Sequence, residues 1–208
     1  MQKTKIFNLI ILDESGSMES IKNTIISGFN EVVQSVKMVA EEFPEQEHFI
    51  SLVSFDSTKI KTIHDIEPVE KLEKIDDSKY KPGAMTPLYD AMGTGILQLK
   101  RVTDTHPDCK VLVTILTDGE ENASKEFNGQ SIKALVDELQ AKNWTFSYIG
   151  ANHDVEKFAV SISIKNYMKF ETNEQDMQRM FSEEKNTRMN YSKKIRNNED
   201  EKSDFYKK

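Results

Sequence analysis

Two stretches of the chain are apolar almost without interruption, and each has the length of a strand. The first holds Ile6, Phe7, Leu9, Ile10, Ile11 and Leu12, and the second holds Val111, Leu112, Val113, Ile115 and Leu116. Runs of this kind, rich in β-branched residues, predict strands buried on both faces, at about 5–12 and 109–117. After the first run the period changes. Ile21, Ile25, Phe29, Val32, Val36 and Val39 recur at intervals of three and four, which predicts a helix over 18–42, ended by Pro44. Ile50, Leu52, Val53 and Phe55 predict a strand at 48–55, and the mixed stretch 59–66 an edge strand in a hairpin with it. The segment 67–81 is polar and reads as a short helix and a loop.

Further along, Pro87 suits the first residue of a helix, where a missing N–H costs nothing. That helix runs to about residue 103, with Leu88, Ala91, Met92, Ile96 and Leu99 on one face. Beyond the second apolar run come a polar loop at 119–129, a helix at 131–142 with Ile132, Leu135, Val136 and Leu139 inward, and a strand at 145–150. A short helix at 154–161 and a short strand at 167–170 complete the alternation. Strand and helix in turn predict an α/β domain with a mainly parallel sheet covered on both faces. The domain is expected over 1–170, with 171–208 as a C-terminal appendage. Met177, Met180 and Phe181, with Met189, form a weak stripe there. It predicts a helix at the domain edge, then a polar tail frayed from Asn197, dispensable for folding.

Composition narrows the class. A chain of 208 residues, 37% hydrophobic and 30% charged, can bury one core and stay in solution. No apolar run approaches the length of a membrane span. The lysines before the first run invite a signal-peptide reading, but Asp13 and Glu14 stand where small cleavage-site residues belong. Cys109 is the single cysteine, opening a strand where it is expected to be buried and inert, so a cytoplasmic protein without disulfides is expected. The sequons at Asn122, Asn143 and Asn190 mean nothing without secretion. The net charge is −7, and from Glu171 onward acidic and basic residues balance at nine each. The first 170 residues therefore carry the whole excess, which disfavours a nucleic-acid partner.

The candidate chemistry lies at the carboxyl ends of the two central strands, where open α/β sheets bind ligands. Asp13-Glu14-Ser15-Gly16-Ser17 follows the first, and Asp118-Gly119 the second; Thr86, in Gly83-Ala84-Met85-Thr86-Pro87, comes from a third loop. Asp, Ser and Gly after a strand are also ordinary turn and cap chemistry. Thr86 and Asp118, supplied from loops expected on the same sheet edge, weaken that explanation. All the donors are hard oxygens with no cysteine or histidine beside them, which excludes a zinc-type site and suits magnesium. With hydroxyls as direct ligands and the carboxylates acting through water, the ion stays under-neutralised and seeks an anionic oxygen from outside.

Asp13-x-Ser15-x-Ser17 with Thr86 and Asp118-Gly119 resembles the metal-ion-dependent adhesion site of the von Willebrand factor type A domain. All five signature positions occur in the family's order, and the resemblance covers about residues 4–170, leaving out the tail. Gly28-Phe29-Asn30 and Thr86-Pro87-Leu88-Tyr89-Asp90-Ala91 are similar to small bacterial and phage members. The resemblance implies a Rossmann-like sheet with one antiparallel edge strand. It also implies a Mg2+ (or Mn2+ or Ca2+) ion held directly by Ser15, Ser17 and Thr86 and through water by Asp13 and Asp118. A partner protein's Asp or Glu would complete the shell.

Around that set, Glu14, Met85, Glu120, Glu121 and His153 are candidates for a partner-contact rim. A solvated acidic loop explains Glu120, Glu121 and Asn122 more simply, and helix capping explains Asn152 or Asp154. Three functions compete: a metal-dependent interaction module, a magnesium-dependent phosphotransferase or phosphatase using Asp13, and a structural domain with a vestigial site. Haloacid-dehalogenase-like enzymes carry a second carboxylate two residues after the nucleophile, and here that position is Ser15. No nucleophile–base pair is visible. The expectation is a binding module that grasps a partner carboxylate and is not an enzyme, with no nucleic acid and no membrane involved.

Overall fold

The computed structural model describes residues 3–202 and 205–206. Its sheet has six strands: β1 (Thr4–Asp13), β2 (Gln46–Asp56), β3 (Lys59–Pro68), β4 (Lys110–Thr117), β5 (Trp144–Gly150) and β6 (Asn166–Lys169). They lie in the order β3-β2-β1-β4-β5-β6. Every pairing is parallel except that of β3, which runs antiparallel to β2 at the edge. Five helices surround it: α1 (Lys22–Glu42), α2 (Leu88–Thr103), α3 (Gly129–Gln140), α4 (Val155–Ser161) and α5 (Glu174–Arg196). The α/β, Rossmann-like architecture with one antiparallel edge strand is therefore the one expected. None of the helices is long and apolar enough to cross a membrane, among the described residues.

The two nearly continuous apolar runs became β1 and β4, side by side at the sheet centre with Leu12 opposite Leu116. Because side chains alternate, β1 serves two cores. Phe7, Leu9 and Ile11 join residues of α2, α3 and α4 on one face. Ile10 and Leu12 join residues of α1 and α5 on the other. Parallel neighbours need crossovers, so β1 feeds α1 on one face, whereas α2 crosses the other face into β4. The strand order reverses at β1, and the loops after β1 and β4 leave from that point.

Three local expectations shift. The first helical segment opens as a 3₁₀ turn, Gly16–Ile21, and becomes α-helical at Lys22. Pro87 stands just before α2, its carbonyl accepting the Ala91 N–H at 3.0 Å. The polar-looking segment 67–81 contains one 3₁₀ turn (Val69–Lys71) and sends Val69, Leu72, Ile75 and Tyr80 into the α1–α5 core. Those apolar residues are too irregularly spaced among lysines and acids to register as a period.

The larger shift concerns α5. Instead of lying at the domain edge it lies over the sheet beside α1, with Met177, Met180 and Phe181 in the same core as β1. The crossing is so close that a Cβ on Gly28 would stand 1.9 Å from the Phe181 ring. The second half of the inner face is polar. Arg188 pairs with Glu184 at 2.7 Å and donates to Asn8 Oδ1 and Thr114 Oγ1, both at 2.8 Å. Asn8 and Thr114 are inward residues of β1 and β4, so the ion pair lies over the centre of the sheet.

Of the polar tail expected from Asn197, residues 203–204 and 207–208 lie outside the described residues. The rest is held against the domain. Glu201 pairs with Lys110 at 2.8 Å, Phe205 is buried with Ile6, Leu112 and Tyr191, and the Tyr206 hydroxyl donates to Glu184 Oε2 at 2.8 Å. A buried aromatic ring stabilises by about 1.5–3 kcal/mol and a net hydrogen bond by about 1 kcal/mol, against the entropy of ordering the segment. Deleting 197–208 should therefore lower the melting temperature by about 4–8 °C, which corresponds to about 2 kcal/mol in a chain of this length. A thermal melt showing no change would mean that the tail is as dispensable as its composition suggests.

His48 on β2 faces the same polar layer, with Gln46 Oε1 3.3 Å from its Nε2 and no partner for its Nδ1. Burial, and then the nearby Arg188, push its pKa down to about 4. Between pH 6.5 and 4 the unfolded chain binds a proton that the folded chain refuses, so this contribution is full above pH 6.5 and lost as pH falls. Asp13 works the other way, since its pKa is raised from 3.8 to about 6. The comparison with His48→Leu isolates the histidine: the wild type should lose up to about 3 kcal/mol relative to the variant across that window. Parallel stability–pH curves for the two proteins would contradict this.

Candidate metal centre

Asp13 ends β1 and Thr117 ends β4 on the neighbouring strand. The Thr117 hydroxyl donates to Asp13 Oδ2 at 2.5 Å, and the Ser15 N–H donates to Asp13 Oδ1 at 2.7 Å. Asp13 is fully buried with both oxygens held, and the Tyr80 hydroxyl grips its carbonyl at 2.6 Å. The odd positions of the loop turn together, as alternation predicts: Ser15 Oγ and Ser17 Oγ stand 3.2 Å apart. Ser17 Oγ donates to Asp118 Oδ1 at 2.5 Å, which joins the first loop to the one after β4.

Thr86 is delivered by a reciprocal pair with Asn122. Its N–H donates to Asn122 Oδ1 at 2.9 Å, and the Asn122 N–H donates to its carbonyl at 3.1 Å. A Cβ built on Gly119 would meet Thr86 Oγ1 at 3.5 Å and Ser17 Oγ at 3.8 Å, so the two hydroxyls flank one point and glycine leaves it open. The five residues expected in the cluster therefore converge on the carboxyl ends of β1 and β4. Sequence reasoning missed Thr117 and Tyr80, which hold Asp13, and the part played by Asn122, which holds Thr86. A threonine ending a strand beside an aspartate gives no periodic signal.

The five rim candidates separate. Met85 is 52% exposed, and Glu120 is also exposed. Glu121 is half-buried, and its carboxylate accepts the N–H groups of Tyr89, Ala123 and Ser124 at 2.8–2.9 Å, stapling the loop to α2. His153 is partly buried, between the Tyr148 hydroxyl at 3.0 Å and the Ala151 carbonyl at 2.5 Å. Asp154 caps α4 through the Lys157 N–H. Glu14 is no rim residue: it points away from Asp13 and Ser15, as alternation requires, and that direction leads into the protein, where it is 0% exposed.

Burial raises the Asp13 carboxyl to about 6; hydrogen bonds from Thr117 and Ser15 pull it back, and the Asp118 charge adds to the rise. Asp118 is raised as well, again chiefly by burial. Two buried carboxylates with elevated pKa and three hydroxyls fit a hard divalent cation, whose charge would offset the cost of keeping both acids ionised. Among the described residues no group of three His, Cys, Asp or Glu side chains is placed to hold a metal. Any ion at this crest thus relies on serine and threonine.

Fold and site together define a doubly wound α/β domain with an oxygen-lined crest at its topological switch point. The sequence profile of the von Willebrand factor type A domain matches residues 9–196, and the chain belongs to that family. The match passes Phe170 and takes in all of α5, so the resemblance reaches beyond where it was expected to stop. No curated protein matches the chain. Among solved structures it is similar to the SpRpn10 VWA domain, at 11% identity and a TM-score of 0.54 over 88% of this chain and 95% of that one. It is similar to the vWF domain of the type V pili tip protein Mfa5 from Porphyromonas gingivalis, at 9% identity and 0.59 over 88% and 95%. It is also similar to the pilus adhesin SpaC from Lactobacillus rhamnosus GG, at 12% identity and 0.61 over 91% of this chain and 30% of SpaC. The chain spans less than half the length of several of the solved chains it matches. At these identities the likeness is one of fold.

Proposed function

We propose that the protein is a metal-dependent protein-interaction module. In this reading Ser15, Ser17 and Thr86 hold Mg2+ (or Mn2+ or Ca2+) directly, Asp13 and Asp118 hold it through water, and a partner's Asp or Glu completes the shell. The ion supplies an electrophilic position for that anionic oxygen. The chain's own residues orient the hydroxyls and keep the two carboxylates close. The observation that carries this reading is the convergence of Ser15, Ser17, Thr86, Asp13 and Asp118 from three loops on one point. Two similar chains, described as a pilus adhesin and a pilus tip protein, support a protein as the partner. A cytoplasmic setting goes with this proposal, on the single, buried Cys109.

The phosphotransferase alternative needs Asp13 as a free nucleophile. Its full burial and its two engaged oxygens speak for the binding role, and we assign no catalysis to the site.

Titration calorimetry with Mg2+, in buffer free of competing anions, should show one saturable site in the wild type. Ser15→Ala with Ser17→Ala should weaken it by at least about tenfold, the equivalent of about 1.4 kcal/mol. Heat-free titrations of the wild type would end the metal reading.

A further inference from the structure

The buried carboxylate of Glu14 does more than fill space behind the crest. Its Oε1 accepts the Lys81 N–H at 2.5 Å and the Lys61 ammonium at 2.8 Å, and its Oε2 accepts the Ser54 hydroxyl at 2.8 Å. Its main chain joins two of the same segments, β2 and residues 79–84: the Glu14 N–H donates to Phe55 O and the Gly83 N–H to Glu14 O, both at 2.8 Å. The Gly16 N–H then donates to Ala84 O at 3.1 Å. Lys61 reaches on to Lys79 O at 2.6 Å. One side chain thus ties β2, the edge strand β3 and the segment 79–84 to the loop that carries Ser15 and Ser17. That segment leads directly into Thr86. It includes Ala84 at φ 61°, a left-handed conformation that costs a non-glycine residue energy and persists only where its surroundings enforce it.

We propose that Glu14 is a positioning residue. It clasps the segment 79–84 against the loop after β1, so that Thr86 stands beside Ser15 and Ser17 before any ion arrives. Lys61 cancels its charge, which leaves Asp13 and Asp118 as the pair that an ion meets. The inference rests on the metal reading above and adds reach, rather than charge, as the property required at position 14. A carboxamide keeps the reach and the acceptor for the Lys81 N–H. An aspartate keeps the charge but is one methylene too short to span Lys81 and Ser54.

The test compares wild type, Glu14→Ala, Glu14→Asp and Glu14→Gln in two measurements. The first is amide hydrogen exchange at Lys81, Gly83 and Gly16 in EDTA; the second is Mg2+ affinity by calorimetry. Glu14→Ala and Glu14→Asp should exchange those amides at least about tenfold faster and bind Mg2+ at least about tenfold more weakly, equivalent to about 1.4 kcal/mol. Glu14→Gln should stay within about threefold of wild type in both. Should Glu14→Ala fail to fold, the order of Gln above Asp decides alone. Asp at or above Gln would make charge the determinant and overturn the clasp. Unchanged Mg2+ affinity in Glu14→Asp would reduce Glu14 to a purely structural group. A wild type with normally protected amides and no Mg2+ uptake would overturn the metal reading instead.

Discussion

Replacing Arg188 with leucine should cost about 3–5 kcal/mol, because it strands a carboxylate in the interior rather than merely removing a contact. Arg188 and Glu184 are both almost fully buried. With the guanidinium gone, Glu184 keeps, among the described residues, the hydroxyls of Thr114 at 3.3 Å and Tyr206 at 2.8 Å, and Asn8 Oδ1 loses the Arg188 donor. In a chain of this length that loss lowers the melting temperature by about 10 °C. Changing both members, Arg188→Leu with Glu184→Leu, removes the stranded charge and should recover most of the stability, since buried ion pairs often exchange for apolar residues at little net cost. Thermal melts of wild type, single and double variant at pH 7 check this. A single variant within about 1 kcal/mol of wild type would show that α5 docks too loosely to exclude water from the pair.

Asp118→Ala should abolish metal stabilisation while leaving the apo fold intact. In EDTA the wild type holds Asp13 and Asp118 close together in a site that disfavours both charges. Removing one relieves that repulsion by a few tenths of a kcal/mol or more. It frees Ser17 Oγ from Asp118, with Ser15 Oγ 3.2 Å away as a remaining partner. The variant should therefore melt at or slightly above the wild type without metal. With Mg2+ at a hundred times its Kd the wild type gains about 2.7 kcal/mol by mass action, or roughly 5–11 °C. The variant gains nothing. If Asp118 mainly organises the loop, both conditions instead show an equal loss of about 1 kcal/mol, and the argument for a metal centre falls with it.

The outline of the fold was legible along the chain because hydrophobic period is a local property that burial imposes. Two apolar runs, each broken by a single polar residue, marked the strands that lie side by side at the sheet centre, and the mixed run 59–66 marked the antiparallel edge. The five oxygen-bearing residues that meet at the crest were legible for a related reason. Each follows a strand or precedes a helix, where the topology leaves little choice about which end of the sheet it occupies.

What the chain concealed is its buried polarity. Glu14 was expected on a partner-contact rim, and nothing in the sequence marked Arg188, Glu184 or Lys61 as paired across the fold, since a charged residue looks the same in sequence whether it faces water or a partner far along the chain. Lys61 is 47 residues from Glu14, and Asn8 is 180 from Arg188. The same blindness placed α5 at the edge and left the tail free, because the second half of the helix's inner face is polar, with Glu184, Thr187, Arg188 and Ser192 buried there, and carries no apolar stripe. Composition and period by themselves determined the sheet, its order of burial and the chemistry available at its crest. Only the tertiary structure decided which charges turn inward, because that depends on finding an opposite charge or a hydrogen-bond partner across the fold, and desolvation makes any unmatched choice too costly to persist.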